Sequence, residues 1–416
     1  GAALVLLETY RKNTNDRAKA NANIKAALKN QEHQAEVLKE QIRQFDENAF
    51  KERKAERRER YTEAVEQLGS KEAPVRIGGV YTLVGLVDEW LEEKNLEYSE
   101  RLKEGQVIIN NLCAYIRSPF TLASYYDELS EDNPSSEGIY KDNQQKFYTD
   151  KADFKAEADI RLSIIKEIHS RLQNPEINTP GTWSDFEYDF SGSTFFYPVD
   201  LTNSYYTKPV NFSGSTYQDE VRFDGSVYKD EADFGSSIYK SWATFDGSAY
   251  KGWANFRSSA YKGWADFTGS TYQGWAYFTG STYNDVAYFS GSVFYQKVYF
   301  GADGDNSSFS RFADCAPQFY NETNHTNTLF GSPNNDFTVE NGRGYPIYRN
   351  LDGLPLGCSF LTTEQKEYLE YKIQEIDETN NKLREVKDSK EKEELSKKLQ
   401  ALNKELYEWR KEATTV

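Results

Sequence analysis

The stretch Ala265-Asp266-Phe267-Thr268-Gly269-Ser270-Thr271-Tyr272-Gln273-Gly274-Trp275 decides the fold, because its pattern returns every eleven residues. Phe190, Leu201, Phe212, Phe223, Phe234, Phe245, Phe256, Phe267, Phe278, Phe289 and Phe300 stand in one phase. Five residues after them come Phe195, Tyr206, Tyr217, Tyr228, Tyr239, Tyr250, Tyr261, Tyr272, Tyr283 and Phe294. Ala232, Ala243, Ala254, Ala265, Ala276 and Ala287 precede the first set by two. Trp242, Trp253, Trp264 and Trp275 share a phase of their own. An eleven-residue period also suits a right-handed coiled coil. The Gly-Ser or Ser-Ser pair, Tyr and Thr in these units are poor helix formers, however. Phe and Tyr favour strands, and glycine at fixed offsets marks corners. A stack of short strands and turns, a β-solenoid, satisfies all of these preferences.

Written as Ala265–Gly269, then Ser270–Gly274, then one extra residue, Trp275, the unit resembles the bacterial pentapeptide-repeat family. The resemblance covers residues 185–301. It implies a right-handed quadrilateral parallel β-helix with small and aromatic residues facing inward. Two units would make one coil, and ten units about five coils, a stack about 25 Å tall at a strand spacing of about 4.8 Å. The sixth residue of alternate units departs from the family pattern and is expected to bulge at a corner. Arg76-Ile-Gly-Gly-Val-Tyr-Thr-Leu83 and Leu112-Cys-Ala-Tyr-Ile-Arg117 are similar to the helical segment that precedes the repeats in many relatives.

The flanks read as helices, which makes the whole an α+β multidomain chain. Residues 1–60 contain a heptad seam, Ile24, Leu28, Gln31, Ala35, Leu38, Ile42, Phe45 and Ala49, the mark of a coiled coil. The mixed run Lys51–Arg60 interleaves bases with Glu52, Glu56 and Glu59 and reads as a solvated helix face. Residues 61–180 form a helical unit. It has helices at about Tyr61–Leu68, from Pro74 through Trp90, at Ser99–Arg117 and at Lys155–Leu172, with a long surface loop at 118–150. Residues 302–361 are Asn, Asp, Gly and Ser-rich with sparse aromatics, and are assigned to cap the solenoid end. Residues 362–416 carry two Leu/Ile stripes separated by a polar stretch. That favours an antiparallel helical hairpin over one continuous helix, with Asp388 and Glu391 as a capping box.

Composition sharpens the picture. The 416 residues carry a formal charge of −16, and 15% are aromatic. Of the 62 aromatics, 33 fall in residues 186–300, so the excess belongs to the solenoid core. No apolar run approaches a bilayer span, and Gly1–Leu7 is too short for a signal peptide. Relatives of this architecture often carry membrane helices ahead of the coiled coil, with which the Gly1–Leu7 stretch is consistent. The expected location is cytoplasmic, with the cytoplasmic face of the inner membrane as the alternative. Cys113, Cys315 and Cys358 are too few and too scattered for a disulfide framework or a zinc site. Asn211, Asn306, Asn321 and Asn324 lie in sequons that composition alone explains.

Little in the sequence suggests catalysis. No phosphate-binding loop, nucleophile elbow or paired-histidine metal motif occurs. His33, His169 and His325 lie in three different segments, and Cys113 reads as core. No cofactor is expected, and no direct nucleic-acid binding, because counterion release needs clustered bases. The expected function is a non-enzymatic scaffold or protein-interaction module, homo-oligomeric through the coiled coil, with an unidentified protein partner. The repeat tryptophans Trp242, Trp253, Trp264 and Trp275 are the candidate interaction surface. Two share each opposite edge, either exposed as an apolar stripe or packed against neighbouring helices. The family resemblance offers an alternative, a DNA mimic acting on DNA gyrase. Residues 190–300 hold ten acids and eight bases, a net of −2, and Lys229, Lys240, Lys251 and Lys262 form a periodic basic row. That balance disfavours mimicry of a polyanion. An enzyme is the weakest reading. Repeat carboxylates such as Asp233 and Asp266 are expected to be outward and solvated.

Overall fold

The computed structural model describes all residues except 175–177, 303–307, 341, 387, 388 and 416. The Asn306 sequon and the Asp388 capping box therefore lie outside the described residues. The chain forms two compact units, residues 1–63 and 64–416. Helix α1 runs Ala2–Leu68 without a break. The separate helix expected at Tyr61–Leu68 is the end of α1, because nothing between Glu8 and Arg60 breaks a helix.

In the second unit, α2 (Ala73–Leu91) opens with Pro74 in its first turn, where a missing N–H costs nothing. Helix α3 (Tyr98–Arg117) begins with a capping box between Glu97 and Glu100. A 3-10 turn (Thr121–Tyr125) and the short α4 (Tyr126–Leu129) follow. Helix α5 spans Gln144–Leu172, capped by the Asn143 side chain accepting from the Lys146 N–H at 3.0 Å. It starts eleven residues before the expected Lys155. The expected loop at 118–150 is thus partly helical, and Leu129, Tyr140 and Phe147 are buried. The low overall hydrophobicity of that stretch hid three well-placed anchors.

From Tyr188 the chain winds a parallel β-solenoid of about five turns. Through the regular repeats each strand is two residues long and pairs in parallel with the strand 22 residues on, as in Ala243 with Ala265 and Ala254 with Ala276. Four parallel sheets result, one per face of the coil. Inward aromatics stack between coils. Phe234 lies 5.1 Å from Phe256, and Phe256 5.0 Å from Phe278, with rings within 5° of parallel. Tyr239 and Tyr261 stack at 4.6 Å on another ladder. These offset ring pairs add to simple area burial.

The Gly-Ser pairs have a mechanical reason. Gly192, Asn203, Gly214, Gly225, Ser236, Gly247, Ser258, Gly269, Gly280 and Gly291 are eleven apart, and all have φ between 53° and 72°. One corner in each unit therefore demands the left-handed region, which glycine enters freely and Ser and Asn at a cost. From Ser215 to Ser292 the serine that follows is buried and donates to a backbone carbonyl of the previous coil. Ser248 Oγ reaches the Phe223 oxygen at 3.1 Å, and Ser270 Oγ the Phe245 oxygen at 2.9 Å. From Ser226 to Ser292 each also accepts from a serine N–H of the coil before, as Ser270 Oγ does from Ser248 N. The small inward position is thus a hydrogen-bonded seam.

The solenoid is capped at both ends. At the start, the Trp183 indole donates to Asp88 at 2.8 Å, and the Arg171 guanidinium pairs with Asp88 at 2.8 Å. Gly105 admits the Phe186 ring, which would lie 2.7 Å from any Cβ there. At the far end the aromatic ladders continue beyond residue 301. Phe312 stacks on Tyr283 at 4.8 Å, Phe319 on Phe289 at 4.9 Å and Phe330 on Phe294 at 5.4 Å. The segment after the regular repeats is therefore a further, irregular coil that covers the open core. Helices α6 (Thr363–Glu385) and α7 (Ser389–Thr414) then run antiparallel, joined by Lys372–Glu405 at 2.5 Å and Lys398–Glu375 at 3.2 Å.

Candidate functional site

The eleven-residue unit places each outward side chain in a column, so the solenoid surface is read down its faces. The tryptophans sit at the corners just before their strands. Their carbonyls take part in the ladder: Ala232 N–H donates to the Trp253 oxygen at 2.9 Å, and Ala254 N–H to Trp275 at 3.0 Å. The extra sixth residue is absorbed at a corner without disturbing the inward phase.

The two tryptophan pairs differ. Trp242 and Trp264 stack at 5.3 Å and are half-buried. Trp253 and Trp275 stack at 6.0 Å and remain 55% and 42% exposed. Their further ring contacts are on their own face, with Tyr277 and Tyr299. Sequence reasoning missed these two tyrosines. They occupy the outward column Asp189, Asn211, Asp233, Asn255, which switches to Tyr for its last two members. The Arg257 guanidinium lies 3.6 Å from the centre of the Tyr277 ring, and the Lys297 ammonium 4.1 Å from Tyr299. The result is a cation-rimmed aromatic strip on one face.

The outward carboxylates are less solvated than expected. Asp233 accepts from the Gly235 N–H at 2.9 Å, and Asp266 from the Thr268 N–H at 2.9 Å. Asp189, Asp200, Asn211 and Asn255 make the same bond two residues on. These Asp and Asn residues, drawn from outward columns on two of the sheets, close corners as Asx turns. Asp266 is half-buried, and burial raises its pKa above the usual carboxylate value.

One corner holds a stressed carboxylate. Burial and the neighbouring Asp224 carboxylate push Asp246 up to about 7 from a usual 3.8. Asp266 and Arg410 of α7 face the same corner. A raised carboxyl value means the folded state holds the proton more tightly. The stability it contributes is fully present below about pH 3.8 and is lost as pH rises through 7. Asn copies the protonated form. D246N is expected to melt several degrees above the parent at pH 8, by a smaller margin at pH 5 and with it below about pH 3.8, as read by circular dichroism.

The basic row splits between two fates. Lys251 and Lys229 reach Asp377 of α6 at 2.7 and 3.3 Å, docking the C-terminal hairpin on the solenoid. Burial raises the Asp377 pKa, but Lys251 and Lys229 outweigh it and hold the carboxyl below its usual value. Lys240 and Lys262 are exposed.

The coiled-coil seam is exposed along α1. Ile24, Leu28, Leu38, Ile42 and Phe45 are between 54% and 73% exposed, and Ala35 is exposed with them. His33 is exposed on the same helix. His169 bonds the Thr202 oxygen at 2.7 Å, and His325 lies 3.2 Å from the Tyr320 hydroxyl. Cys113 lies on the buried face of α3, and burial pushes its thiol up to about 12. Among the described residues no group of three or more His, Cys, Asp or Glu is placed to hold a metal ion, and no helix is long and apolar enough to cross a membrane.

Compared with family models, with curated proteins and with solved structures, the chain finds no match.

Proposed function

We propose that this chain is a non-enzymatic scaffold of the pentapeptide-repeat kind, in which α1 recruits another helix while the solenoid presents a fixed surface. The observation that carries this reading is the seam on α1. A heptad row of large apolar side chains stays more than half exposed on a 67-residue helix. Isolated long helices gain most of their stability from packing such a stripe. The solenoid supports the same reading, because its hydrogen-bonded corners and stacked rings make a rigid rod on which the Trp253–Trp275 strip is held at fixed geometry.

The test is oligomeric state by size-exclusion chromatography with light scattering. The parent chain is expected to associate at micromolar concentration. L38D/I42D places two charges in the seam, and is expected to be monomeric with its solenoid melting unchanged. A parent that is strictly monomeric, and no different from L38D/I42D, would falsify the self-associating scaffold.

A further inference from the structure

The seam has a partner written into its flanks. The inference here rests on the scaffold reading and deepens it. In the heptad of α1, Leu28, Ala35, Ile42 and Ala49 take the a positions, and Ile24, Gln31, Leu38 and Phe45 the d positions. The residues after each d are then Lys25, Glu32, Lys39 and Asp46. They alternate in sign along one edge of the exposed stripe. The opposite edge, the g positions, is Ala27, Gln34, Gln41 and Asn48, with no charge at all.

That asymmetry separates the two ways of pairing helices. In a parallel pair each e position meets a g position of the partner, so every charge here would face a neutral residue. In an antiparallel pair e meets e and g meets g. With a layers set against d layers, Lys25 then faces Asp46 of the second copy, and Glu32 faces Lys39. The two-fold axis repeats both contacts, which makes four opposite-charge pairs and no like-charge pair. We infer that α1 pairs antiparallel with α1 of a second copy of this chain, centred between Glu36 and Val37.

The core layers agree with that register. Leu28 meets Phe45, Ala35 meets Leu38, Ala49 meets Ile24 and Gln31 meets Ile42 of the other copy. Three of the four layers set a small or polar side chain against a large one, which keeps the helix separation even. A parallel, in-register pair would place Ala35 on Ala35 and Phe45 on Phe45, alternating gaps with crowding. It would gain only a Gln31–Gln31 contact. All of these side chains except that of Ala49 are exposed in the single chain, and the four e-position charges are exposed too. A C2 pair of this kind is self-complementary, so one row of four residues specifies both partner and direction.

Charge reversal tests the proposal on the full chain. K25E/K39E makes the edge uniformly negative, and E32K/D46K makes it uniformly positive. Each variant alone is expected to dimerise at least about tenfold more weakly than the parent at low salt, and a 1:1 mixture is expected to regain the parent's affinity. Direction is read separately by spin labels at Lys19→Cys in a C315S background, since Cys113 and Cys358 are buried. At about 1.5 Å per residue, antiparallel pairing sets the two labels about 50 Å apart, whereas parallel pairing leaves them within about 25 Å. Reversal variants that dimerise like the parent, or a short label distance, overturn the antiparallel pairing. If L38D/I42D is still monomeric in that case, the seam remains an association site and only its direction was misread. A parent that never dimerises overturns the pairing and the self-associating scaffold together.

Discussion

Phe256→Ala is expected to lower the stability of the solenoid by about 3–5 kcal/mol, read as a guanidinium midpoint shift at constant slope. Phe256 is fully buried, and its ring is held on four sides. Phe234 and Phe278 stack on its faces at 5.1 and 5.0 Å, and Phe245 and Phe267 meet it edge-on at 5.2 and 5.1 Å. Truncation removes the transfer energy of the ring and leaves a cavity, because the strands above and below are fixed by hydrogen bonds. Phe234 N–H donates to the Asn255 oxygen at 2.8 Å, and Phe256 N–H to Tyr277 at 2.7 Å. The coil therefore cannot collapse into the space, which places the expected cost at the upper part of the usual range.

The comparison variant is Trp253→Ala. That ring has a similar aromatic area but is more than half exposed, and one of its faces already lies on Trp275. Its loss is expected to cost no more than about 1 kcal/mol. The contrast is diagnostic, because composition alone would rank tryptophan above phenylalanine. Amide exchange adds a spatial readout. A solenoid couples mainly to its nearest neighbours, so protection in F256A is expected to fall first in the coils that hold residues 234–278. Equal midpoints for F256A and W253A would contradict the inward assignment of the Phe phase.

The period made that assignment readable before any coordinates. Inward positions along 190–300 follow from spacing, since a side chain that changed phase would leave the core. The corners were legible only in part. Glycine at fixed offsets marked them, but Asn203, Ser236 and Ser258 occupy the same left-handed position and carry no such mark. The Asx turns were missed because a lone Asp beside an inward Phe looks solvated until its N–H partner two residues on is seen. The start of helix α5 is hidden in the sequence because Phe147 and Phe154 are spaced in a polar background, where local hydropathy is low. The continuation past residue 301 was hidden for a different reason. Tyr283 to Phe312 is 29 residues rather than 22, so the ladder persists while the period does not. The tryptophan phase was visible, but burial was not. Whether a corner ring is exposed depends on its face and on the outward tyrosines beside it, which lie two and 24 residues away in sequence.

The second large effect is expected in the helical unit, at Arg161. R161A is expected to cost about 3–5 kcal/mol, because it removes the main partner of a buried carboxylate and the donor of two carbonyl oxygens. Arg161 is 2% exposed. Its Nε donates to Glu157 at 2.8 Å, Nη1 to the Ile116 carbonyl at 2.7 Å and Nη2 to the Ser118 carbonyl at 2.8 Å. Those two carbonyls close the C-terminal end of α3, where the helix itself supplies no donors. The guanidinium also lies 5.6 Å from the Phe196 ring of the first coil, so one side chain binds α3, α5 and the solenoid. The Tyr115 hydroxyl at 3.1 Å and Arg76 at 3.5 Å stay on Glu157 in the variant, but neither replaces the 2.8 Å contact. Removing the charge with the cation should recover part of the loss. R161M/E157L is expected to be more stable than R161A by about 1–2 kcal/mol, since it leaves no carboxylate in the buried site, and less stable than the parent, since the α3 carbonyls still lose their donor and Arg76 loses its carboxylate partner. Should R161M/E157L unfold at lower denaturant than R161A, the buried pair is not what holds this corner, and the packing of Arg161 against Phe196 and Phe120 would carry the effect instead.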